Sequence, residues 1–373
     1  MGSELLLYGY GFVCVSMLIF NTIYSLSLRR RERRLEGRGR RLCRCVGRQL
    51  DRIRMGEELE RGHLAYLRRR LSRVNDLVAF DRTVTERLAG SAKDAEAVQA
   101  YQRQIQPVML HLAIIYRDRE DIQAAYFAYF LSRHRLRRHQ AMDAVQDVMV
   151  EYMGKESLYC RVNALQALYD FGSPESVVDA VAALDRGGRF LHEKILTDGL
   201  LSFTGSHERL TALLLERFSS FSIPTKLSVL NYIRFRSGGY QDWMMDILAD
   251  PSEDKELRLS AIRYFGRYPS SRAQPYLLAF AADKDPTNWE YASIAVSALA
   301  GYRGEGVQDA LTTAIYSSNW YVRANAAASL AQQGLDYSDL ISVVAGGDRY
   351  VREMMLYQLD LRQAQGERAG AAV

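Results

Sequence analysis

The sequence has few of the residues that interrupt helices or cross-link small folds. Among its 373 residues are only 7 prolines and 4 cysteines. So few cysteines exclude a disulfide-stapled scaffold, and so few prolines leave room for many uninterrupted helices. With 48% hydrophobic and 25% charged residues, the composition also excludes bulk disorder. A folded, mainly helical chain is therefore expected.

The sequence also lacks the common signatures of enzyme sites. Its six histidines show no His-x-x-x-His spacing, and there is no Gly-x-x-x-x-Gly-Lys phosphate loop. Two His-Glu pairs occur, His192-Glu193 and His207-Glu208. Two pairs do not complete a set of metal ligands on successive helices. No catalytic residue, cofactor or metal site is predicted, and the chain is expected not to be an enzyme.

Charged residues are missing from Leu5 to Leu28, a stretch of 24 residues. As a helix it would be about 36 Å long, enough to cross the roughly 30 Å hydrocarbon layer of a bilayer. A cleaved signal peptide would carry positive charge before its apolar core. Here Glu4 precedes the core and arginines follow it. The pattern predicts one transmembrane helix within residues 1–28, with the N-terminus outside and the rest of the chain in the cytoplasm.

Positive charge is concentrated directly behind this stretch. Residues 29–54 contain twelve arginines and three acidic residues, a local charge of +9 in a chain whose total is +5. The remainder is therefore −4, which argues against a nucleic-acid partner. The run fits a topology signal and contact with anionic lipid head groups. The membrane-proximal basic residues are Arg29, Arg30, Arg31, Arg33 and Arg34.

An internal repeat is visible in the second half of the chain. The segment 289–299 aligns with 320–330, and both begin with tryptophan. If Arg323 is position zero, Ala326 at plus three and Leu330 at plus seven share one helical face. This repeat frame recurs at positions 29 to 34 residues apart, with zero positions at Arg161, Lys194, Lys226, Arg258, Ala292, Arg323 and Arg352.

Each repeat also carries a second apolar stripe after a turn signal such as Gly172-Ser173-Pro174. Each unit is thus predicted to be two helices, and stacked pairs share one core. The predicted fold is an all-α α-solenoid. Its domains are a transmembrane helix at 1–28, an arginine-rich segment at 29–54, an irregular helical capping region at 55–150, about seven repeats at 151–362 and a disordered tail at 363–373.

The segment Val322-Arg323-Ala324-Asn325-Ala326-Ala327-Ala328-Ser329-Leu330, with Gly334 beyond it, resembles the HEAT repeat in its short bacterial form. The resemblance covers residues about 158–360. The Trp and Leu-Gly pattern of tetratricopeptide repeats and the Thr-Pro-Leu-His of ankyrin repeats are absent. A HEAT-like fold implies recognition of a protein partner over a long surface. The layout is also similar to bacterial single-span HEAT-repeat proteins found beside membrane glycosyltransferases.

Two groups of residues are candidates for binding a partner. Aromatic residues at the helix starts are typical of binding hot spots, although core packing is the competing explanation for them. The second group is the basic segment 133–139, for which a solvated helix end is the alternative. The candidates are Trp289, Tyr291, Trp320 and Tyr321 in the first group and Arg133, Arg135, Arg137 and Arg138 in the second.

The sequence therefore predicts a single-pass bacterial membrane protein whose cytoplasmic solenoid is a scaffold or adaptor for a membrane-associated complex. Two alternatives remain. HEAT-like folds include lyase-type enzymes, which would need matched ligands on successive helices. A lipid- or nucleic-acid-binding regulator would instead use the arginine-rich segment, and its binding would weaken strongly with added salt.

Overall fold

The computed structural model describes residues 2–134 and 143–370, and it describes the side chains of residues 16–24, 36–134 and 143–365. Within these ranges the regular elements are helices, with no strand. The prediction of an all-α fold is confirmed. The chain divides into two compact units, residues 1–187 with 203–210 and residues 188–202 with 211–373.

The first helix, α1, is a single 53-residue helix from Gly2 to Arg54. It includes the predicted anchor and the whole arginine-rich segment. Its last part packs on the rest of the first unit through Leu42, Val46 and Leu50, which are buried. Over residues 16–24 the large apolar side chains are instead exposed. The rest of the anchor's side chains, and those of Arg29 to Arg34, lie outside the described residues.

In the part of the chain that the structure describes, no helix is both long and apolar enough to span a membrane.

The remaining helices of the first unit are 9 to 15 residues long. Two of them, α5 and α6, are joined by the charged segment 118–120. The helices are α2 (His63–Leu71), α3 (Val74–Leu88), α4 (Ala92–Gln104), α5 (Gln106–Arg117), α6 (Asp121–Arg133), α7 (Asp143–Glu151), α8 (Leu158–Phe171) and α9 (Pro174–Arg186).

Large aromatic side chains fill the core of the first unit. Tyr116 of α5 stacks on Phe127 of α6 with ring centroids 5.0 Å apart and planes 3° from parallel. Phe80 of α3 packs against both Tyr101 and Phe130. The buried Tyr116 hydroxyl donates a hydrogen bond to the carbonyl of Leu71 at 2.8 Å. Aromatic burial of this kind supplies large apolar contact areas while the polar tip keeps a partner.

The second unit consists of helices joined in pairs by short turns. The even-numbered helices from α10 to α20 pack side by side, and each of α13, α15, α17 and α19 packs on the helix that follows it. The helices are α10 (Glu193–Leu201), α11 (His207–Glu216), α12 (Ile223–Arg236), α13 (Gln241–Ala249), α14 (Lys255–Arg267), α15 (Gln274–Ala281), α16 (Trp289–Ala298), α17 (Glu305–Ala314), α18 (Trp320–Gln332), α19 (Ile341–Val344) and α20 (Arg349–Gly370).

The apolar positions of the repeat frame lie in the core between neighbouring helices. Plus three and plus seven are buried in α12, α14, α16, α18 and α20, as at Ala261 and Phe265. In α10, Thr197 at plus three is buried, but Leu201 at plus seven is only half-buried and the neighbouring Leu200 is buried instead. This stacking of helical pairs on a shared core is that of an α-solenoid.

The basic residue at position zero has a structural role in several repeats. The Arg161 guanidinium donates to the carbonyls of Lys155 and Glu156 at 2.8 and 2.7 Å. Arg258 donates to the carbonyl of Leu248, near the end of the preceding helix α13. Terminal helix carbonyls have no partner within their own helix. In these two repeats the arginine at position zero therefore satisfies backbone carbonyls that lie just before its own helix.

Helix α20 continues well beyond the last repeat position. It runs to Gly370, so the tail predicted from residue 363 starts as a continuation of this helix. Residues 371–373 lie outside the described part of the chain.

Candidate partner-binding surface

Aromatic side chains stand at the N-terminal ends of α16, α18 and α20, helices of the second unit that pack side by side. They are Trp289 on α16, Trp320 and Tyr321 on α18, and Tyr350 on α20. We call these four residues the aromatic row. Trp320, Tyr321 and Tyr350 are 58%, 56% and 71% exposed, and Trp289 is half-buried. Exposed aromatic residues next to one another are typical of interaction surfaces.

Contacts between the rings orient three of the four members of this row, Trp289, Trp320 and Tyr321. Trp289 stacks on Tyr321 across two helices, with centroids 5.3 Å apart and planes at 26°. Trp320 meets Tyr321 edge-on, with centroids 5.2 Å apart and planes at 82°. Both geometries are among those that aromatic pairs prefer. The Tyr321 ring therefore has limited conformational freedom, even though more than half of its surface is exposed.

Helix caps explain why these aromatics point away from the core. The Asn319 side chain accepts hydrogen bonds from the backbone N–H groups of Tyr321 and Val322 at 2.9 and 3.4 Å, and so starts α18. Val322 is then buried, which leaves the two preceding residues on the outer surface. Asp348 accepts from the N–H of Tyr350 at 2.9 Å in the same way. Asx caps of this type fix the first turn of a helix.

Tyr291, the fourth aromatic residue predicted to face a partner, lies inside the second unit. It is 9% exposed and stacks on Phe280 with centroids 5.0 Å apart. The Arg258 guanidinium carbon lies 5.3 Å from the Phe280 centroid and 5.4 Å from the Tyr291 centroid. Tyr291 thus contributes to packing between α15 and α16, and it is not part of the aromatic row.

The predicted basic cluster is only partly described. Arg133, the last residue of α6, donates to the Tyr129 hydroxyl at 3.0 Å and lies 3.8 Å from the Asp81 carboxylate. Its charge is therefore partly balanced within the first unit. Arg135, Arg137 and Arg138 lie outside the described residues.

The two His-Glu pairs have separate structural roles. The His192 side chain accepts from the N–H of Lys194 at 3.2 Å and caps α10. Glu193 accepts a hydrogen bond from the Asn231 amide on α12, and His207 packs edge-on against Phe203. Among the described residues no group of three or more His, Cys, Asp or Glu side chains is placed to hold a metal ion.

One member of the aromatic row, Tyr350, was missed by the sequence argument. The signal for it was present, because Tyr350 stands two residues before Arg352 just as Tyr321 stands two residues before Arg323. The last repeat contains no tryptophan, so the pattern that marks residues 289 and 320 is absent there.

Comparison with known families identifies the repeat. Residues 241–331 match the family model of HEAT repeats. This range contains α13 to α17 and most of α18, and it includes three of the four residues of the aromatic row. No curated protein matches the chain. The match and the stacked helical pairs agree with each other and with the predicted repeat type: residues 241–331 of this chain are similar to HEAT repeats.

Proposed function

We propose that this protein is a membrane-anchored, non-enzymatic HEAT-repeat scaffold that binds a partner protein through the aromatic row. The observation that carries the proposal is the pair Trp320 and Tyr321, which are large, more than half exposed and held in place. Trp and Tyr are enriched among residues that dominate binding energy. Their rigidity lowers the entropy cost of binding.

The size of the expected contribution follows from burial. Full burial of a large apolar side chain contributes about 1.5 to 3 kcal/mol. Trp320 and Tyr321 together would then supply several kcal/mol, which corresponds to a change in affinity of more than tenfold. HEAT repeats commonly mediate protein–protein interaction, so this surface agrees with what the family does.

Two observations support an anchor at residues 5–28, with the N-terminus outside and the repeats in the cytoplasm. The stretch lacks charge and is followed by arginines, which is the pattern of a single span with its positive side in the cytoplasm. In addition, Met17, Leu18, Phe20 and Ile23 are all more than half exposed, so the described part of the protein provides no cover for them. Lipid is the environment that fits these side chains.

The partner we propose is a protein of the same membrane, in a complex of the glycosyltransferase kind. The layout of one span followed by HEAT repeats supports this choice. A shared membrane raises the effective concentration of partner and scaffold without any additional contact. Anionic lipid near Arg29 to Arg34 would add to retention at the surface.

Crosslinked capture from membranes tests the proposed surface. The full-length chain is expected to recover one membrane protein, and the double substitution Trp320→Ala/Tyr321→Ala is expected to reduce its recovery at least tenfold. The physical reason is the loss of the two exposed rings that the partner would cover. Recovery is measured by quantitative mass spectrometry after detergent extraction.

Tyr357 provides a matched control, because it lies in the same unit and is also more than half exposed but is outside the aromatic row. Tyr357→Ala should capture as much partner as the wild type. Equal recovery by the wild type and the double variant would contradict the proposed surface.

A further inference from the structure

Three arginines from two neighbouring helices surround one pocket in the second unit. The pocket has a volume of about 480 Å³, and its lining includes Arg234 of α12 and Arg263 and Arg267 of α14. We call it the arginine pocket. Phe235, Ile294 and Ser297 complete much of the wall. The volume is within the range of sites that hold small organic ligands, about 300 to 1,000 Å³.

Helix packing creates this arrangement. Arg263 and Arg267 are four residues apart on α14 and therefore share a face. Gly266 lies beside them and lets α16 approach, since a Cβ atom at Gly266 would be 3.1 Å from Ala298. The Arg234 guanidinium carbon lies 4.7 Å from the Phe235 ring centroid, and that of Arg267 lies 5.7 Å from the same centroid. The Phe235 ring thus holds two of the three guanidinium groups near each other.

No carboxylate neutralises these three arginines. Among the described residues none of the three forms an ion pair within 4 Å, whereas Arg70 pairs with Asp76 at 2.9 Å. The Arg234 Nε atom is buried without an acceptor. Arg267 has a weak bond to the Tyr268 hydroxyl at 3.4 Å. The pocket therefore contains three positive charges and several donors that are not used within the protein.

The electrostatic cost of this grouping is visible at Arg234. Burial lowers the pKa of its guanidinium, and repulsion from Arg263 and Arg267 lowers this pKa further. Glu193 is the one acidic group whose charge raises the pKa of Arg234, and it is already hydrogen-bonded to Asn231. Like charges that a fold holds together without a counterion destabilise it. An anionic ligand would remove this cost.

We propose that the arginine pocket binds the phosphate group of a small organic phosphate monoester. A phosphate dianion has three terminal oxygens and accepts several hydrogen bonds from planar guanidinium groups. Its double charge matches a site of three unpaired arginines better than a single carboxylate does. Phe235 and Ile294 supply an apolar surface for the organic part. The arginine pocket shares no residue with the aromatic row. A test of phosphate binding is therefore independent of the proposed scaffold function.

Calorimetric titration of the full-length protein in detergent, at constant ionic strength, tests the proposal. The probes are phenyl phosphate and inorganic phosphate. The wild type should bind phenyl phosphate more tightly than inorganic phosphate, because only the former covers Phe235 and Ile294. The double substitution Arg263→Gln/Arg267→Gln should weaken phenyl phosphate binding at least tenfold. Both arginines are exposed, so the variant is expected to fold, and circular dichroism verifies this.

Arg236 is the matched control, because it is an exposed arginine of the same helix as Arg234 and does not line the pocket. Arg236→Gln should bind phenyl phosphate within twofold of the wild type. If the double variant fails to fold, Arg263→Gln alone gives the same comparison with a smaller loss. The proposal is overturned if the wild type does not bind phenyl phosphate, or if the pocket variants and the control bind it equally well.

Discussion

Arginines at positions 18 and 20 are expected to remove the full-length chain from the membrane. Leu18 and Phe20 lie near the middle of the uncharged stretch 5–28, and both side chains are exposed on α1. One arginine at the centre of a span costs about 2.5 to 3.5 kcal/mol of insertion free energy. Two would cost about 5 to 7 kcal/mol, which is enough to prevent stable insertion of a stretch of only moderate hydrophobicity.

The measurement is alkaline carbonate extraction of cell membranes followed by immunoblotting. Wild-type chain should stay in the pellet, and the Leu18→Arg/Phe20→Arg variant should appear in the supernatant. Leu18→Ala/Phe20→Ala is the control and should stay in the pellet, since it adds no charge. If carbonate releases the wild type as readily as the arginine variant, the proposal that residues 5–28 anchor the chain in the membrane is wrong.

The second large effect is expected at Asp81, a buried carboxylate in the first unit. Asp81 Oδ1 accepts a hydrogen bond from His134 Nε2 at 2.7 Å, and Oδ2 accepts one from the Tyr126 hydroxyl at 2.8 Å. These bonds connect α3 to Tyr126 of α6 and to His134, the residue that directly follows α6. Asp81→Ala should lower the free energy of unfolding by about 3 kcal/mol, because breaking a buried pair leaves its partners unsatisfied. Urea denaturation followed by circular dichroism measures the change.

The effect of Asp81→Ala should depend on pH. Burial alone would raise the pKa of the Asp81 carboxyl, but hydrogen bonds from His134 and Tyr126 together hold this pKa below its ordinary value, which is about 3.9. A carboxyl whose pKa is lower in the folded state stabilises the protein above its unfolded pKa, and this contribution is lost as the pH falls. The difference between wild type and variant should therefore be full at pH 6 and should shrink below about pH 4.

Glu86 is the control for this substitution. It is an exposed carboxylate of the same helix, paired with Arg82 four residues earlier. Surface pairs of this type contribute about 0.3 to 0.5 kcal/mol, so Glu86→Ala should change the unfolding free energy little at any pH. A loss at Asp81 no larger than that at Glu86 would mean that the buried hydrogen bonds do not stabilise the unit.

The repeat was predictable from the sequence because the apolar residues that pack between neighbouring helices recur at a regular spacing. Ala326 and Leu330 are buried, as are their equivalents in neighbouring helices, since each helix presents the same face to the next one. The boundary of the last helix was less predictable. Residues 364–370 contain no proline, and α20 continues past Gly366 to Gly370.

The repeat frame predicts which aromatic residues are exposed only when the residues one and two places before position zero are compared between repeats. Tyr291 stands one residue before position zero, where other repeats have Leu257, Val322 and Val351, all of them buried. Tyr321 stands two residues before position zero and is exposed. A shift of one residue on a helix turns a side chain by about 100°. This shift separates a core residue from a surface residue of the same type.

The arginine pocket could not be found by looking for basic runs. Arg234 and Arg263 are 29 residues apart in the chain, and only the packing of α12 against α14 brings them to one pocket. A search along the sequence finds the run at 133–139 instead. In a repeat protein, residues about one repeat apart in the sequence lie next to each other on the surface. Clusters of charge therefore have to be sought between equivalent positions of neighbouring repeats as well as along the chain.

Contact between the aromatic row and a membrane protein in the cell can be measured by site-specific photocrosslinking. The photoreactive variant is Tyr321→p-benzoylphenylalanine in the full-length chain, and Tyr357→p-benzoylphenylalanine is the control. We expect position 321 to form an adduct with one membrane protein and position 357 to form none. No adduct from position 321, or the same adducts in equal yield from both positions, would show that the aromatic row does not bind such a partner.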